Sequence, residues 1–104
     1  MAAHILCIGD VMLDVITKIQ VLPEAINYGS DTEANISTHG GGAAANVASW
    51  LTCTGNSATI VGHVGQDSAG AALKSEFDAL GVHHHNLVVS GRNSGVVVVL
   101  VDPT

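Results

Sequence analysis

The sequence predicts an α/β fold: a partial parallel sheet with helices packed on it, and a small separate β sheet that resembles a lid. Apolar segments at residues 5–8, 59–64 and 95–102 are typical of strands in a buried sheet. Residues 15–38 contain alternating polar and apolar positions instead, which is typical of strands with one exposed face. The 104 residues are enough for one compact domain, so we treat residues 1–104 as part of a single unit.

Composition excludes several classes of protein. Hydrophobic residues make up 47% of the chain and charged residues 12%, which indicates a folded protein. Nine acidic against three basic residues give a net charge of −6, which disfavours binding to nucleic acid and to anionic membranes. No apolar run approaches the roughly 18 residues of a membrane-spanning helix. The N-terminus lacks a basic residue before its short apolar stretch, so no secretory signal is predicted and we expect a cytoplasmic protein.

The two cysteines, Cys7 and Cys53, are expected to be free. They stand in apolar surroundings and lack the spacing of a metal site. Three consecutive histidines at residues 83–85 cannot all face one ion, so we predict a solvated turn there and no metal site.

The first half of the chain is predicted to form strands. Residues 5–8 are a continuous apolar run ending at Gly9-Asp10, as expected of a strand buried on both faces. Residues 15–22 and 31–38 each alternate with a period of two. We interpret them as a partly exposed antiparallel sheet, the lid, inserted at about residues 15–38.

Two helices follow. Residues 43–54 are rich in helix formers and are followed by Gly55, the residue favoured after a helix end. Asp67 is placed to cap a second helix that runs to Leu80, and Gly81 ends it. The side chains of the first helix that are expected to pack against the sheet are Val47, Trp50 and Leu51, with a contact between Trp50 and the lid as the alternative.

The remaining strands are predicted at residues 59–64, 86–90 and 95–102. The last is long, flat and apolar, and it runs into Asp102-Pro103-Thr104, a sequence typical of a turn. Because no partner strand follows, we expect an unpaired strand, which intact proteins normally cover. The chain is therefore expected to be part of a longer protein.

The strongest motif is a glycine run, residues 40–42, that leads into the first helix with Asn46 near its start. Glycines allow a ligand to approach the backbone, and free N–H groups at a helix start attract oxygen atoms. The Asn46 amide can donate and accept hydrogen bonds, which suits the vicinal hydroxyls of a sugar. The alternative from spacing alone is a tight loop in which Asn46 only satisfies backbone groups.

The glycine run also fits the loose dinucleotide-binding pattern, Gly40-x-Gly42-x-x-Ala45. This would indicate a fragment of a dinucleotide-binding oxidoreductase. The strand before that pattern should be buried and apolar, whereas residues 31–38 are half polar. The oxidoreductase hypothesis is therefore the remote one.

Taken together, the motifs resemble the N-terminal half of the ribokinase-like (PfkB) carbohydrate kinases. The resemblance covers nearly the whole chain and keeps four features in order: Gly9-Asp10 with Asp14, Gly41-Gly42 with Asn46, Gly65-x-Asp67-x-x-Gly70, and Ser94-Gly95. The glycine run with Asn46 is the specific one, since it is similar to the family's first signature. The resemblance implies a ribokinase-like fold, truncated relative to the family.

The resemblance also implies a function, in which the γ-phosphoryl group of ATP moves to a hydroxyl of a sugar or nucleoside, with Mg²⁺ accompanying the nucleotide. Asp14, Gly41, Gly42 and Asn46 would bind the sugar, and a carboxylate such as Asp14 suits a vicinal diol. The alternative for Asp14 is a solvated turn residue. Asp67 and Gly70 are interpreted as structural, and Asp10 as ordering the strand end.

The family's second signature, which supplies the catalytic base and the anion hole, has no counterpart in these residues. No catalytic residue and no ATP or Mg²⁺ site is therefore assigned to the 104 residues, which are expected to be inactive alone. The rival interpretation is a non-catalytic sugar-binding or assembly module. The half-exposed lid strands and the valine-rich strand also predict a homo-oligomer.

Overall fold

The computed structural model describes residues 3–104. The elements, in chain order, are β1 (His4–Ile8), β2 (Met12–Ile19), a 3-10 turn (Pro23–Ala25), β3 (Ala34–Gly41), α1 (Ala43–Cys53), β4 (Ser57–Val61), β5 (Val64–Gly65), α2 (Ser68–Leu80), β6 (His83–His84), β7 (Val88–Val89) and β8 (Gly95–Val101). This order of strands and helices confirms the predicted α/β class.

Strands β1, β4 and β6 form the central sheet, in the order β1-β4-β6, and all its pairings are parallel. Both helices contribute to a core on one face of this sheet. Ile60 of β4 and Leu73 of α2 are each 1% exposed at its centre. The other buried residues of the core are Cys7, Val11, Ala45, Ala48, Ala58, Val64, Phe77, Val82 and Leu87. The central sheet with α1 and α2 is called the central body below.

The opposite face of the central sheet is uncovered along β1, so the prediction that residues 5–8 are buried on both faces is wrong. Leu6 is 61% exposed and Ile8 74%, while Cys7 between them is buried. The physical reason is that α1 and α2 cover the same face, and no other element in residues 3–104 covers the second one. An apolar run indicated the strand correctly but not what lies on each side of it.

A second sheet, called the side sheet below, has the order β3-β2-β8. The antiparallel pairing of β2 with β3 confirms the predicted arrangement, but both strands are displaced from the predicted ranges. The ladder starts at Met12 opposite Gly41, inside the glycine run, and stops at Ile19 opposite Ala34. Backbone hydrogen bonds continue the ladder through residues whose side chains do not alternate, so the pattern did not reveal these ends.

The expectation that the valine-rich strand is unpaired is also wrong. β8 pairs in parallel with β2, from Gly95 opposite Met12 to Val101 opposite Lys18. Its partner precedes it in the chain, so the absence of a following strand was no guide. Within residues 3–104 the outer edge of β8 has no partner, and every residue of β8 is exposed.

The predicted helix ends are confirmed. α1 ends at Cys53, and Gly55 follows with φ +85°. α2 begins after Asp67, whose side chain accepts a hydrogen bond from the Gly70 N–H, and it ends at Gly81 in the left-handed conformation with φ +78°. Glycine reaches that region without the steric cost that a Cβ brings.

The side chains of α1 differ from their predicted placement. Only Leu51 packs against the core, while Trp50 is 72% exposed and Val47 52%. The buried positions of α1 are Ala45 and Ala48. Since alanines face the sheet, α1 lies close to it, and the larger residues at 47 and 50 project away.

The short strands depart from prediction as well. The segment 59–64 divides into β4 and β5. Between them Gly62 packs on the turn after β1, since a Cβ on Gly62 would lie 2.5 Å from the Gly9 carbonyl oxygen. The predicted strand 86–90 shrinks to β7, which pairs in parallel with β5.

His83 and His84 form β6 instead of the expected solvated turn, and His85 follows the strand. His84 pairs with β4, and its Nε2 lies 2.8 Å from Oδ1 of Asp78. This hydrogen bond, followed by that from Lys74, holds the pKa of Asp78 below its ordinary value.

Candidate functional site

The central body and the side sheet meet where the turn after β1 crosses the glycine run. A Cβ on Gly42, which has φ +96°, would collide with the carbonyl oxygen of Asp10. Gly9, with φ +155°, lies against the Ala44 side chain, 3.1 Å from the position of its absent Cβ. Backbone therefore packs directly on backbone, which only glycine permits. This contact fixes the start of α1 relative to β2.

Asp14 lies on β2 beside this junction. A Cβ on Gly41 would be 2.5 Å from both carboxylate oxygens of Asp14, so the carboxylate covers the backbone of the glycine run. Asp14 is half-buried in a strand, and the alternative that it is a solvated turn residue is wrong. Within the described part of the chain, its carboxylate accepts no hydrogen bond from any protein group.

Glu76 of α2 holds the neighbouring glycine. The Gly40 N–H donates a hydrogen bond of 3.0 Å to Glu76 Oε2, and a Cβ on Gly40 would lie 2.9 Å from that atom. One carboxylate thus faces each of two successive glycines, Asp14 at Gly41 and Glu76 at Gly40. Glu76 was not predicted from the sequence, because nothing in its spacing distinguishes it from other exposed helix residues.

Asn46 lies in the first turns of α1, where its N–H donates to the Gly42 carbonyl at 2.9 Å. Its side chain is exposed, and within residues 3–104 it makes no hydrogen bond to the backbone or to another side chain. The alternative that this amide only satisfies backbone groups is therefore not supported. The structure brings Asp14, Gly41 and Gly42 together, with Asn46 one helical turn further on.

A crevice lies between the carboxyl ends of β1 and β4 and the root of the side sheet. Its volume is about 690 Å³, and its lining includes Asp10, Met12, His63 and Gly95. Met12 lies on the same face of β2 as Asp14, since residues two apart in a strand share a face. Ligands of open α/β sheets bind outside the carboxyl ends of the strands. His63 lies there, two residues after β4, and this place just after a strand is the one feature of the sequence that could have pointed to it.

Asp67 ties the start of β8 to the central body. Its Oδ1 accepts from the Ser94 hydroxyl at 2.6 Å and from the Gly70 N–H at 2.8 Å, and its Oδ2 accepts from the Ser94 N–H at 2.8 Å. These bonds, the Ser94 hydroxyl first, hold the pKa of Asp67 below its ordinary value. Asp67 and Gly70 are structural, as predicted; a Cβ on Gly70 would collide with the Gly65 carbonyl oxygen.

The chemistry of the site suits neutral hydroxyl groups more than phosphates. A carboxylate over Gly41 would repel the pyrophosphate that the dinucleotide pattern requires, and β3 before it is an antiparallel edge strand, not a buried parallel one. The same charge makes the glycine run a poor fit for ATP. Within residues 3–104 no group of three His, Cys, Asp or Glu residues is arranged to hold a metal ion, so no step is assigned to Mg²⁺.

Comparison with known proteins gives concordant results. The sequence pattern described as pfkB family carbohydrate kinase matches residues 2–104. A curated relative, the ATP-dependent ribose-1-phosphate kinase of Halopiger xanaduensis, is 34% identical over 103 residues, covering 95% of this chain and 33% of the relative. The chain therefore spans about a third of the length of that protein.

Solved structures show the same relation. A carbohydrate kinase from Agrobacterium tumefaciens superposes with a TM-score of 0.79 at 19% identity, over 98% of this chain and 32% of that one. Fructokinase with bound ATP from Xylella fastidiosa gives 0.74 at 26% identity, over 96% and 30%. Neither helix of the described part is long and apolar enough to cross a membrane.

Proposed function

Because this chain belongs to the pfkB family of carbohydrate kinases, we propose that it is the sugar-binding part of an ATP-dependent kinase that phosphorylates a sugar or nucleoside hydroxyl. The side sheet acts in this proposal as the lid over the sugar, and Asp14, Gly41, Gly42 and Asn46 hold the hydroxyl groups. The reaction belongs to a longer protein, since the chain spans about a third of its relatives.

One observation supports the sugar site most strongly: the half-buried Asp14 carboxylate lies over a glycine backbone and has no protein hydrogen-bond partner among residues 3–104. A carboxylate held in that position can accept hydrogen bonds from two hydroxyl groups of one ligand, and such charge-assisted bonds are the stronger class. Gly41 allows the carboxylate to lie over its backbone, since Asp14 occupies the space that a Cβ would take. The exposed Asn46 amide can serve as a further donor and acceptor.

The relatives suggest which sugars to test. The names of the relatives mention ribose 1-phosphate and, for the fructokinase, fructose, and both compounds carry neighbouring hydroxyl groups. Ribose, fructose and ribose 1-phosphate are therefore suitable probes for this chain. ATP and Mg²⁺ are expected as cofactors of the longer protein, and the cytoplasm as its location.

The proposal assigns sugar binding, and not catalysis, to these 104 residues. In a coupled ATP-consumption assay with D-ribose, D-fructose or ribose 1-phosphate, the pure chain should show no turnover above background. In the same preparations, a sugar should shift the amide resonances of residues near Asp14 and Gly41. Turnover by the pure chain would contradict the division of roles.

A second candidate function is assembly, and the open strand edges favour it. The outer edge of β8 and the bare face with Leu6 and Ile8 are apolar surfaces that a monomer leaves exposed. We expect a homodimer or a larger assembly of this chain. Light scattering at tens of micromolar should show it, and a clean monomer would count against it.

A further inference from the structure

Glu76 of α2 accepts a hydrogen bond from the glycine run, and none of the sequence motifs accounts for it. Its Oε2 lies 3.0 Å from the nitrogen of Gly40, which is 36 positions earlier in the chain. Gly40 belongs to β3, an outer strand of the side sheet, and N–H groups on the outer edge of such a strand are otherwise left to solvent. The bond therefore joins the edge of the side sheet to a helix of the central body.

The carboxylate of Glu76 fits at this place because Gly40 has no side chain. A Cβ on Gly40 would be 2.9 Å from Oε2, 3.0 Å from Oε1 and 3.1 Å from Cδ of Glu76, so the whole carboxylate occupies the space of the absent side chain. In the described part of the chain both ion pairs are made by Asp78, and neither involves Glu76. The Glu76 carboxylate is therefore available to the Gly40 N–H.

Both partners of this hydrogen bond are fixed to the core. Leu73 and Phe77, on either side of Glu76 in α2, are 1% and 3% exposed, so the helix cannot shift here without disturbing close packing. Leu13 stands opposite Gly40 in the side sheet and packs against the core. Gly40 is therefore held by β2 on one side and by α2 on the other.

Gly40 lies at the point where the two parts of the proposed sugar site diverge. The next residue, Gly41, lies under the carboxylate of Asp14 on β2, whereas Asn46 belongs to α1. A change in the path of the chain at Gly40 would move Asp14 relative to Asn46. A sugar that bridges these two side chains needs a fixed separation, and freedom of movement here adds to the conformational entropy that binding must remove.

We propose that Glu76 is a positioning residue for the sugar site. By holding the Gly40 N–H to α2, its carboxylate fixes the separation between Asp14 on β2 and Asn46 on α1. The inference rests on the proposed function and deepens it, since it adds a residue that controls the sugar affinity without touching the sugar. A carboxylate suits this role, because hydrogen bonds to a charged acceptor are the stronger class.

The test is calorimetric titration of the 104-residue chain with D-ribose and D-fructose. For whichever sugar binds, Glu76→Ala should weaken the affinity about threefold to tenfold, the scale of one hydrogen bond. Glu76→Gln keeps an oxygen that can accept from the Gly40 N–H, so its affinity should stay within about twofold of the wild type. Glu33→Ala, the matched control, removes an exposed glutamate just before β3 and should leave the affinity unchanged. Alanine is favoured in helices, so the free energy of unfolding of Glu76→Ala should change little.

Amide hydrogen exchange without sugar tests the hydrogen bond of Glu76 independently of the sugar site. The Gly40 amide should exchange at least about threefold faster in Glu76→Ala than in the wild type and in Glu33→Ala. If a sugar binds and Glu76→Ala keeps the wild-type affinity, or Glu76→Gln loses as much as Glu76→Ala, the positioning role is wrong and the sugar site stands. A loss of affinity that comes with an equal loss of stability makes Glu76 structural and overturns the inference.

If no sugar binds to the wild type, the sugar site fails, and the exchange rates alone decide about Glu76. Faster exchange of the Gly40 amide in Glu76→Ala then supports its hold on the glycine run. Unchanged exchange overturns that hold as well.

Discussion

The central body and the side sheet are both built around apolar strands, yet they are stabilised differently. In the central body, side chains of α1 and α2 bury the face of the sheet that carries Cys7 and Ile60. On the side-sheet strands, Ile19 is the one buried large side chain in the described chain, and every residue of β8 is exposed. The side sheet is anchored at its root instead, by glycine contacts and by the carboxylates of Glu76 and Asp67.

The difference teaches where stability and function reside. Close packing makes the central body sensitive to a change of a single side chain. The side sheet meets the central body at one end, through polar and backbone contacts and the Leu13 side chain, so most of its residues lie outside the core. Substitutions in the first region should therefore change folding, and substitutions at the second should change binding.

The largest expected effect follows from emptying the core. Leu73→Ala leaves a cavity beside Ile60 and should lower the free energy of unfolding by about 2–5 kcal/mol. The matched control is Leu100→Ala on β8, the same substitution at a residue that is 54% exposed. It should cost no more than about 0.5 kcal/mol. Urea denaturation measures the free energy of unfolding of both variants. If both lose the same amount, the side sheet is packed as closely as the central body.

The junction between the regions should be the next most sensitive place. Gly42→Ala adds a Cβ that meets the Asp10 carbonyl oxygen, whereas Gly29→Ala, at φ +75°, adds one with no atom within 4 Å. Both substitutions place a Cβ on backbone with a positive φ, which costs about 1–3 kcal/mol. Gly42→Ala should cost about 1–3 kcal/mol more, because the backbones must separate. If the two variants unfold at the same urea concentration, the close approach of Gly42 to the Asp10 carbonyl oxygen does not contribute to stability.

The stability that Asp67 contributes by joining the start of β8 to the central body should depend on pH. Since the pKa of Asp67 is held below its ordinary value of 3.8, its stabilising effect is present above that pH and is lost as the pH falls towards the lowered pKa. Asp67→Asn should therefore be less stable than the wild type at pH 6, with the difference shrinking below about pH 4. Asp31→Asn, the same change in charge before β3, should show no such difference. Urea midpoints from pH 6 to pH 2.5 measure it, and a constant gap would contradict the assignment.

Local signals predicted much of this fold, because they depend on neighbouring residues. Asp67, Gly55 and Gly81 mark helix ends through caps and φ values that are local in sequence. Which faces are covered depends on distant elements, so the exposure of Leu6 and Trp50 could not be predicted from periodicity.

The residues of the candidate site were likewise predictable only in part. The glycine run and Asn46 form a recognisable motif, whereas Asp14 was assigned through the resemblance to the family and not from its position alone. Glu76 comes to the site from α2, far along the chain, where its carboxylate accepts from the Gly40 N–H. Its spacing in the sequence does not point to a ligand, so only the folded chain reveals it.

The central claim, that Asp14 and Asn46 act together on one sugar, is tested most directly by calorimetric titration with D-ribose, D-fructose and ribose 1-phosphate. Asp14→Asn keeps the shape and removes the charge, so it should weaken binding by roughly 1.5–3 kcal/mol while the free energy of unfolding changes little. Asn46→Ala should act similarly, and Asp31→Asn should leave the affinity unchanged. If Asp14→Asn and Asn46→Ala instead lose stability and retain the affinity of the wild type, both residues are structural and the site is wrong.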